Sequence, residues 1–438
     1  MIQSKNVHII GIGGIGTSAV AKWFLHAGAT VTGSDLHPSD IIDYLKRRGV
    51  GIQIGHAVGN VPSECDLIIY SRAVSENNPE RVVARDRGIT QLSYAEFLGQ
   101  LAGEHKTIAV SGTNGKSTTT AMIAQILIDA DYDPTIIVGT KVPGWEDGNL
   151  RVGKSDWLVV EACEHMASML EIKPQVAVIT NIEEDHLDFY RDLDHIRETF
   201  QQWINQALGS VILNARDPES QKLKASHAIL FDVQNRRTEA GKQVFDVAGV
   251  EVALKIPGEF NAENAAAALT VARNVGIDDD TALKSLASFK GTWRRFELVG
   301  KWHDADVYSD YAHHPSAVEG SLEAFNEFFP DRRVVVVFEP HQHSRTHELF
   351  DDFVDAFDNA DALIVSEIYE VAGRTEERHE SSADLAEAIK DRGKIGTVLY
   401  AKNHDAAEDH LRDIVEPGDV IVIMGAGSID MLARRLAA

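Results

Sequence analysis

At 438 residues the chain has length for about three domains at ~150 residues each and needs no covalent staples to bury its cores. It carries 67 Asp and Glu against 42 Lys and Arg, a formal charge of −25, and no basic run offsets it, so nucleic acid is excluded as the expected partner. Cys65 and Cys163, the only two cysteines, make neither a disulfide framework nor a four-cysteine zinc site, so a reducing cytoplasm is the expected setting.

Forty-four per cent hydrophobic and 25% charged residues describe an ordinary globular chain. Apolar runs such as 334–338 and 420–424 are far shorter than the ~20 residues of a transmembrane helix, so no membrane span is expected. Lys5, the apolar stretch from Val7 and Ala19-Val20-Ala21 imitate a secretory leader, but glycines interrupt the stretch and it reads better as a first strand.

Short apolar runs at 7–10, 67–70, 107–110, 157–160, 176–179, 334–338, 362–365 and 420–424 alternate with amphipathic segments of helical length. That alternation predicts parallel sheets covered by helices on both faces. It restarts twice, at 103–106 and at Gly300-Lys301, which mark the expected domain boundaries. The polar stretch 234–243 reads as a surface loop or hairpin.

The first run leads into Gly11-Ile12-Gly13-Gly14-Ile15-Gly16, a G-x-G-x-x-G loop between strand and helix. Such glycines permit a tight turn and let N–H groups reach a diphosphate at a helix N-terminus, while Asp35 is placed to take a ribose hydroxyl. Residues 109–118, Ala-Val-Ser-Gly-Thr-Asn-Gly-Lys-Ser-Thr, form a second strand–loop–helix of P-loop type, with Val110 where the first glycine belongs. Gly112, Thr113, Asn114, Gly115, Lys116, Ser117 and Thr118 form the candidate ATP loop: N–H groups from Asn114 to Thr118 can wrap phosphate oxygens, Lys116 adds charge, and Ser117 can ligate Mg²⁺. Glu161 closes the run 157–160, and residues 181–188 follow the run 176–179. Glu161 and the Asp185-His186 turn therefore fall at strand carboxyl ends, where open α/β sheets bind ligands.

In the third block, Asp310-Tyr311-Ala312-His313-His314-Pro315 and residues 339–346 also follow strand-like runs. Zinc is weakly supported there, since adjacent His313 and His314 point in different directions and no ligand spacing recurs. Anion or carboxylate recognition by Arg345 with neighbouring histidines fits better. Residues 425–428 repeat the glycine-turn pattern and read as a structural corner.

Taken in order, these signals resemble the Mur ligases, ATP-dependent amide-forming enzymes of peptidoglycan precursor synthesis, over essentially the whole chain. Residues 257–264, Pro-Gly-Glu-Phe-Asn-Ala-Glu-Asn, and 293–297, Trp-Arg-Arg-Phe-Glu, add to the match. Residues 310–315 and 340–346 look most like the alanine-adding branch; the murein-peptide recycling branch shares less. Asn114 and Ser117 stand where that branch usually shows His and Thr, residues 161–166 replace its more common acidic-serine continuation, and Gln342 stands where Arg is frequent. No lysine lies between Asp188 and Gln221, which agrees with the alanine-adding type.

The resemblance implies an α/β protein of three domains: a Rossmann-like UDP-sugar domain (1–103), a central P-loop-type ATPase domain with a mostly parallel sheet (104–298), and a C-terminal Rossmann-like domain closing on nucleotide and amino acid (299–438). Gly11, Gly13, Gly14, Ile15, Gly16, Asp35, Ser71 and Arg72 would hold the UDP end of UDP-N-acetylmuramate. Lys116, Ser117, Glu161 and His186 would serve phosphate and Mg²⁺, the last three as ligands. Asn261 and Asn264 would reach adenine, Arg295 and Asp310 the phosphate or ribose, and Tyr311, His313, His341 and Arg345 would line the amino-acid side. The implied reaction makes an acyl phosphate from ATP and a muramoyl carboxylate, which an amine then opens; keeping water from it is a reason for the third domain to close, on a hinge expected near Gly300. Cofactors would be ATP and Mg²⁺, partners small molecules, and the enzyme monomeric or homodimeric. An NAD-dependent oxidoreductase would use the first loop but leave the second idle; a catalytically idle nucleotide-binding regulator would leave Lys116, Glu161 and His186 without work.

Overall fold

The computed structural model describes residues 4–187, 189–239, 241–370 and 379–438. The chain forms two compact units, one from residues up to 232 with 264–286, the other from 233–263 with 287 onward. All eight apolar runs singled out above form strands.

In the first unit, β1 (Asn6–Ile10), β2 (Thr30–Asp35), β3 (Gly51–Ile54), β4 (Leu67–Tyr70) and β5 (Thr90–Ser93) make a parallel sheet in the order β3-β2-β1-β4-β5. The order reverses at β1, so the loops leaving β1 and β4 part and open a crevice at their carboxyl ends. A second sheet contains β6 (Lys106–Ser111), β7 (Thr135–Ile137), β8 (Leu150–Arg151), β9 (Trp157–Glu161), β10 (Val176–Ile179), β11 (Ser210–Asn214) and β12 (Ala228–Phe231). Its order is β12-β11-β10-β6-β9-β7-β8, parallel except for the β7–β8 pair. Here β6 is the reversal point, which sets the second glycine loop between the ends of β9 and β10.

Burial explains the composition of these strands. Ile108, Ala109 and Val110 in β6 and Leu158, Val159 and Val160 in β9 are fully enclosed, as strands covered on both faces must be. The helix Ile15–His26 sends Trp23 and Phe24 against Phe97 of the helix Tyr94–Gly103, with ring centroids 5.5 and 5.3 Å from it. Burying Phe24 and Phe97 is worth roughly 1.5–3 kcal/mol each. Ser93 and Glu96 form a capping box that starts the second of these helices.

Beneath the first glycine loop lies a buried polar network. Glu80 accepts from His8 (2.9 Å), Ser34 (2.6 Å) and Asn60 (2.7 Å). Burial alone would raise its carboxyl, but these partners outweigh it and pull it down to about 2.

The second unit holds an antiparallel sheet of β13 (Gln234–Glu239), β14 (Lys242–Val247) and β15 (Val250–Leu254), so the polar stretch from 234 is a hairpin. It also holds β16 (Glu297–Trp302), β17 (Ala305–Asp310), β18 (Val334–Phe338), β19 (Ala362–Ser366), β20 (Thr397–Ala401) and β21 (Val420–Met424). These run in the order β16-β17-β21-β18-β19-β20, parallel apart from β16–β17.

Residues 233–263 and 287–298 also fall in this second unit. Gly300 does not sit in a linker; it lies inside β16, where the register shifts between Leu298 and Gly300. A Cβ there would come within 2.8 Å of Ala437 Cβ, so a bulge and a close approach account for the glycine, not hinge freedom. No helix among the described residues is long and apolar enough to cross a membrane.

Candidate active site

The first glycine loop is built as its spacing suggested. Gly11 turns with φ 77°, Gly14 caps the helix Ile15–His26, and an added Cβ on Gly16 would lie 2.7 Å from the Tyr94 ring. Asp35 faces the loop: Oδ2 accepts from Gly13 N–H (2.8 Å) and Oδ1 from Leu36 N–H (2.8 Å). Its carboxylate thus braces the loop itself. Ser71 stands opposite Gly11, its Cβ 3.1 Å from where a Gly11 Cβ would be. Arg72 donates to the Met166 carbonyl and lies 3.4 Å from Glu171.

The second loop owes its shape to two glycines, Gly112 (φ 136°) and Gly115 (φ 81°), in conformations that penalise any side chain. Asn181 and Thr180, at the end of β10, hold the loop from behind. Asn114 N–H donates to Asn181 Oδ1 (2.8 Å), Thr113 N–H to the Asn181 carbonyl (3.0 Å), and Thr180 Oγ1 to the Asn114 carbonyl (2.6 Å). Asn114 Nδ2 reaches Glu183 (3.3 Å). Asn264 backs Gly115, its Oδ1 2.2 Å from the site of an added Cβ, and accepts from Thr119 (2.9 Å).

Lys116 opens the helix Lys116–Asp129 and folds over its own loop, donating to the Gly112 (2.6 Å) and Thr113 (2.9 Å) carbonyls and to Glu164 Oε1 (3.0 Å). Burial disfavours its ammonium, but Glu164 together with Glu161 and the other acidic neighbours outweighs burial and holds it charged. Glu164 is itself buried; Lys116 and His186 overcome the burial cost and keep its carboxyl below the ordinary range.

Ser117 and Glu161 meet directly: Ser117 Oγ donates to Glu161 Oε2 at 2.7 Å, and Gly139 N–H donates to the same oxygen at 2.8 Å. His186 joins a different group. Its Nε2 lies 3.4 Å from Glu164 and 3.7 Å from Asp185, and one ligand atom from each of the three falls within 4.8 Å of the others. Asp188, the end of the predicted acidic stretch, lies outside the described residues. Both groups fit a divalent cation: the first offers hydroxyl and carboxylate oxygens beside the N–H groups of the second glycine loop. In the second, Glu164 Oε2 is buried 3.0 Å from Lys116 Nζ without a hydrogen bond.

In the second unit, the residues chosen from sequence gather at the carboxyl ends of β17 and β18. Asp310 accepts from Phe296 N–H (2.9 Å) and Ala312 N–H (2.8 Å); burial raises its carboxyl, opposed by those bonds and Arg295. Arg295 lies over the Tyr311 ring at 5.5 Å, His313 meets His341 at 5.8 Å between rings, and Arg345 lies 3.4 Å from His341 Nδ1. Asn261 donates to the Pro257 carbonyl (2.6 Å). The glycine turn 425–428 is filled, as a structural corner should be. Glu339 accepts from Ile429 N–H (3.1 Å) and Ser428 Oγ (3.1 Å), and its Oε1 lies 2.5 Å from an added Gly427 Cβ.

Sequence reasoning missed Glu164, Thr180, Gly139 and Arg294. Glu164 was visible only as part of an unusual continuation after Glu161; its partner Lys116 is 48 positions away. Arg294 is buried, stacks over Tyr311 at 5.1 Å and donates to the Gly425 carbonyl.

Three family profiles match in chain order: "Mur ligase family, catalytic domain" over residues 6–106, "Mur ligase middle domain" over 110–272 and "Mur ligase, glutamate ligase domain" over 294–427. The chain is 39% identical to the UDP-N-acetylmuramate--L-alanine ligase of Clostridium novyi, covering 98% of this chain and 96% of that protein. It is also 39% identical to the enzyme of that name from Clostridium tetani, covering 97% and 96%. Among solved structures, the UDP-N-acetylmuramate-alanine ligase of Thermotoga maritima superposes with a TM-score of 0.85 at 28% identity, over 99% of this chain and 98% of that one. A murein peptide ligase from Psychrobacter arcticus shares the fold, with a TM-score of 0.73 at 24% identity over 99% and 98%. Similarity along nearly its whole length makes this chain a member of the Mur ligase family.

Proposed function

We propose that this chain joins L-alanine to the muramoyl carboxylate of UDP-N-acetylmuramate at the expense of ATP, in the cytoplasm. The observation that carries this reading is the second glycine loop. It sets a half-buried lysine, Lys116, against Glu164 of the Glu164–Asp185–His186 group and next in the chain to Ser117 of the Ser117–Glu161 pair, in a chain whose relatives along nearly its full length are named as alanine ligases.

The chemistry must bring two anions together, a carboxylate and the γ-phosphate. Lys116 would exchange its contacts with the loop carbonyls for phosphate oxygens and hold charge on the transferring phosphoryl group, in a setting where burial strengthens the interaction. Asn114 N–H is held by Asn181, so the N–H groups from Gly115 to Thr118 would cradle the phosphates. Mg²⁺, when bound, would screen the remaining charge; Ser117 with Glu161, and His186 with Glu164 and Asp185, are the residues that would hold it. The carboxylate displaces ADP to form an acyl phosphate, and the amine of alanine then displaces inorganic phosphate.

The first loop, with Gly11 to Gly16, Ser71 and Arg72, would take the UDP end, Asp35 acting by holding Gly13 in place. Asn264 would reach adenine from behind Gly115, joined by Asn261. Arg295 and Asp310 would serve nucleotide, and Tyr311, His313, His341 and Arg345 the amino acid.

The test is phosphate release with ATP, Mg²⁺ and UDP-N-acetylmuramate across amino acids and murein peptides. Release that depends on L-alanine is expected. Release that needs no amine acceptor sinks the reading, and release with peptides alone moves the chain to the recycling type.

A further inference from the structure

Residues 138–149 leave β7 and return to β8, and each end of this strap touches a different glycine-loop site. At one end Gly139 N–H donates to Glu161 Oε2 (2.8 Å), the oxygen that also accepts from Ser117 (2.7 Å). The approach is close: an added Cβ on Gly139 would stand 2.7–2.9 Å from the Glu161 carboxylate. At the other end Asn149, fully buried, spends its whole side chain on the helix behind the first glycine loop. Its Nδ2 donates to the Ile15 carbonyl and to Ser18 Oγ (3.1 Å), and its Oδ1 accepts from Lys22 Nζ (2.6 Å). Its backbone closes the strap, because the Asn149 carbonyl accepts from Val138 N–H (3.1 Å), one residue before Gly139. The next anchor reinforces it. Asp147 accepts from His26 (2.7 Å), Tyr44 (2.7 Å) and Arg48 (3.0 Å), and its carbonyl from Lys22 (2.7 Å).

We infer that Asn149 is a positioning residue that couples the two sites. A hydrogen-bonded path runs from Ile15, in the first turn after the UDP-sugar loop, through Asn149 and Val138 to Gly139, Glu161 and Ser117. A buried amide that bonds three groups on one helix transmits a displacement of that helix, because slack would leave polar atoms unpaired. Drawing the helix onto a diphosphate therefore shifts the backbone that aims Glu161, so that sugar binding prepares the metal and nucleotide side. The inference rests on the ligase reading, since it takes the first loop as the UDP-sugar site.

Two measurements on the full chain test it. In hydrogen–deuterium exchange, UDP-N-acetylmuramate alone should slow the amides of 138–149 severalfold in the wild type. In titration calorimetry it should tighten binding of a non-hydrolysable ATP analogue with Mg²⁺ by about fivefold or more, the scale of an ordinary coupling between sites. Asn149→Ala should bring that enhancement within twofold of unity while its affinity for the analogue alone stays within threefold of wild type; a purely structural role would weaken both together. Ser18→Ala, which removes one of the three contacts, should give an intermediate enhancement and serves if Asn149→Ala does not fold. A wild type whose strap amides ignore the bound sugar, or a folded Asn149→Ala with full enhancement, overturns the coupling. Failure of the wild type to bind UDP-N-acetylmuramate overturns the ligase reading instead, and would be seen before any variant is compared.

Discussion

Residues 112–118 and 425–428 share a grammar: a buried parallel strand, a glycine turn at a point where strand order reverses, and a helix. They differ in what faces the turn. At the first, Thr180 and Asn181 brace the loop from behind and a lysine folds over it, so its N–H groups and charge suit phosphate. At the second, the carboxylate of Glu339 occupies the helix start and takes the N–H of Ile429. A fixed anion at a helix N-terminus uses the same partial charge that would draw a phosphate, and repels one as well. Glycine turns of one pattern thus acquire opposite roles from a single side chain delivered by a neighbouring strand.

The harshest way to break this contrast is Lys116→Ala. Phosphate release should fall by ~10²–10³ or more, as when a preorganised charge is removed from a reacting group, while UDP-N-acetylmuramate affinity by calorimetry stays near wild type. The same variant tests the buried pair with Glu164. Burial works to raise that carboxyl, and Lys116 and His186 hold it below its ordinary value of 4.5. Its contribution to stability is therefore present above that value and is lost as pH falls below it. Without Lys116 the largest influence opposing burial is gone, so acid unfolding followed by circular dichroism should begin at higher pH. An unchanged acid limb would mean the pair is not felt by the fold.

Gly115→Ala comes next. Its φ of 81° and an Asn264 oxygen 2.2 Å from the new Cβ should cost about tenfold or more in ATP affinity, roughly 1.4 kcal/mol. Glu339→Ala sharpens the other side. It strips the Ile429 N–H and Ser428 of an acceptor, and should lower stability by ~1–3 kcal/mol in a denaturant titration with nucleotide affinity unchanged. A variant that instead binds nucleotide more weakly would make 425–428 a phosphate turn after all. Smallest is Asn114→Ala, which loses one 3.3 Å contact to Glu183 and should change kcat/KM by about threefold or less, the scale of a weak hydrogen bond.

What could be read along the chain was whatever depends on neighbours a few residues apart. Apolar runs announced the strands because a strand covered on both faces must be apolar throughout, and Gly112 with Gly115 announced the loop because its backbone excludes side chains. Lys116 and Ser117 follow that loop at a fixed offset, so their placement travelled with it. Glu164 did not announce itself, since acidic residues are common and its value comes from Lys116, 48 positions away. Gly300 misled, because a glycine needed for a close approach to Ala437 looks in sequence like one needed for a turn.

The amino-acid sequence by itself determined the strand–loop–helix units and the chemistry each loop can offer, because backbone conformation and donor spacing are local properties. Only the tertiary structure decided which carboxylate faces which loop: Glu161 on Ser117, Glu164 on Lys116, Asp35 on Gly13 and Glu339 on Ile429. Those pairings arise from sheet order and register, which bring distant strand ends to one edge, and charge acts through space with no regard for position along the chain.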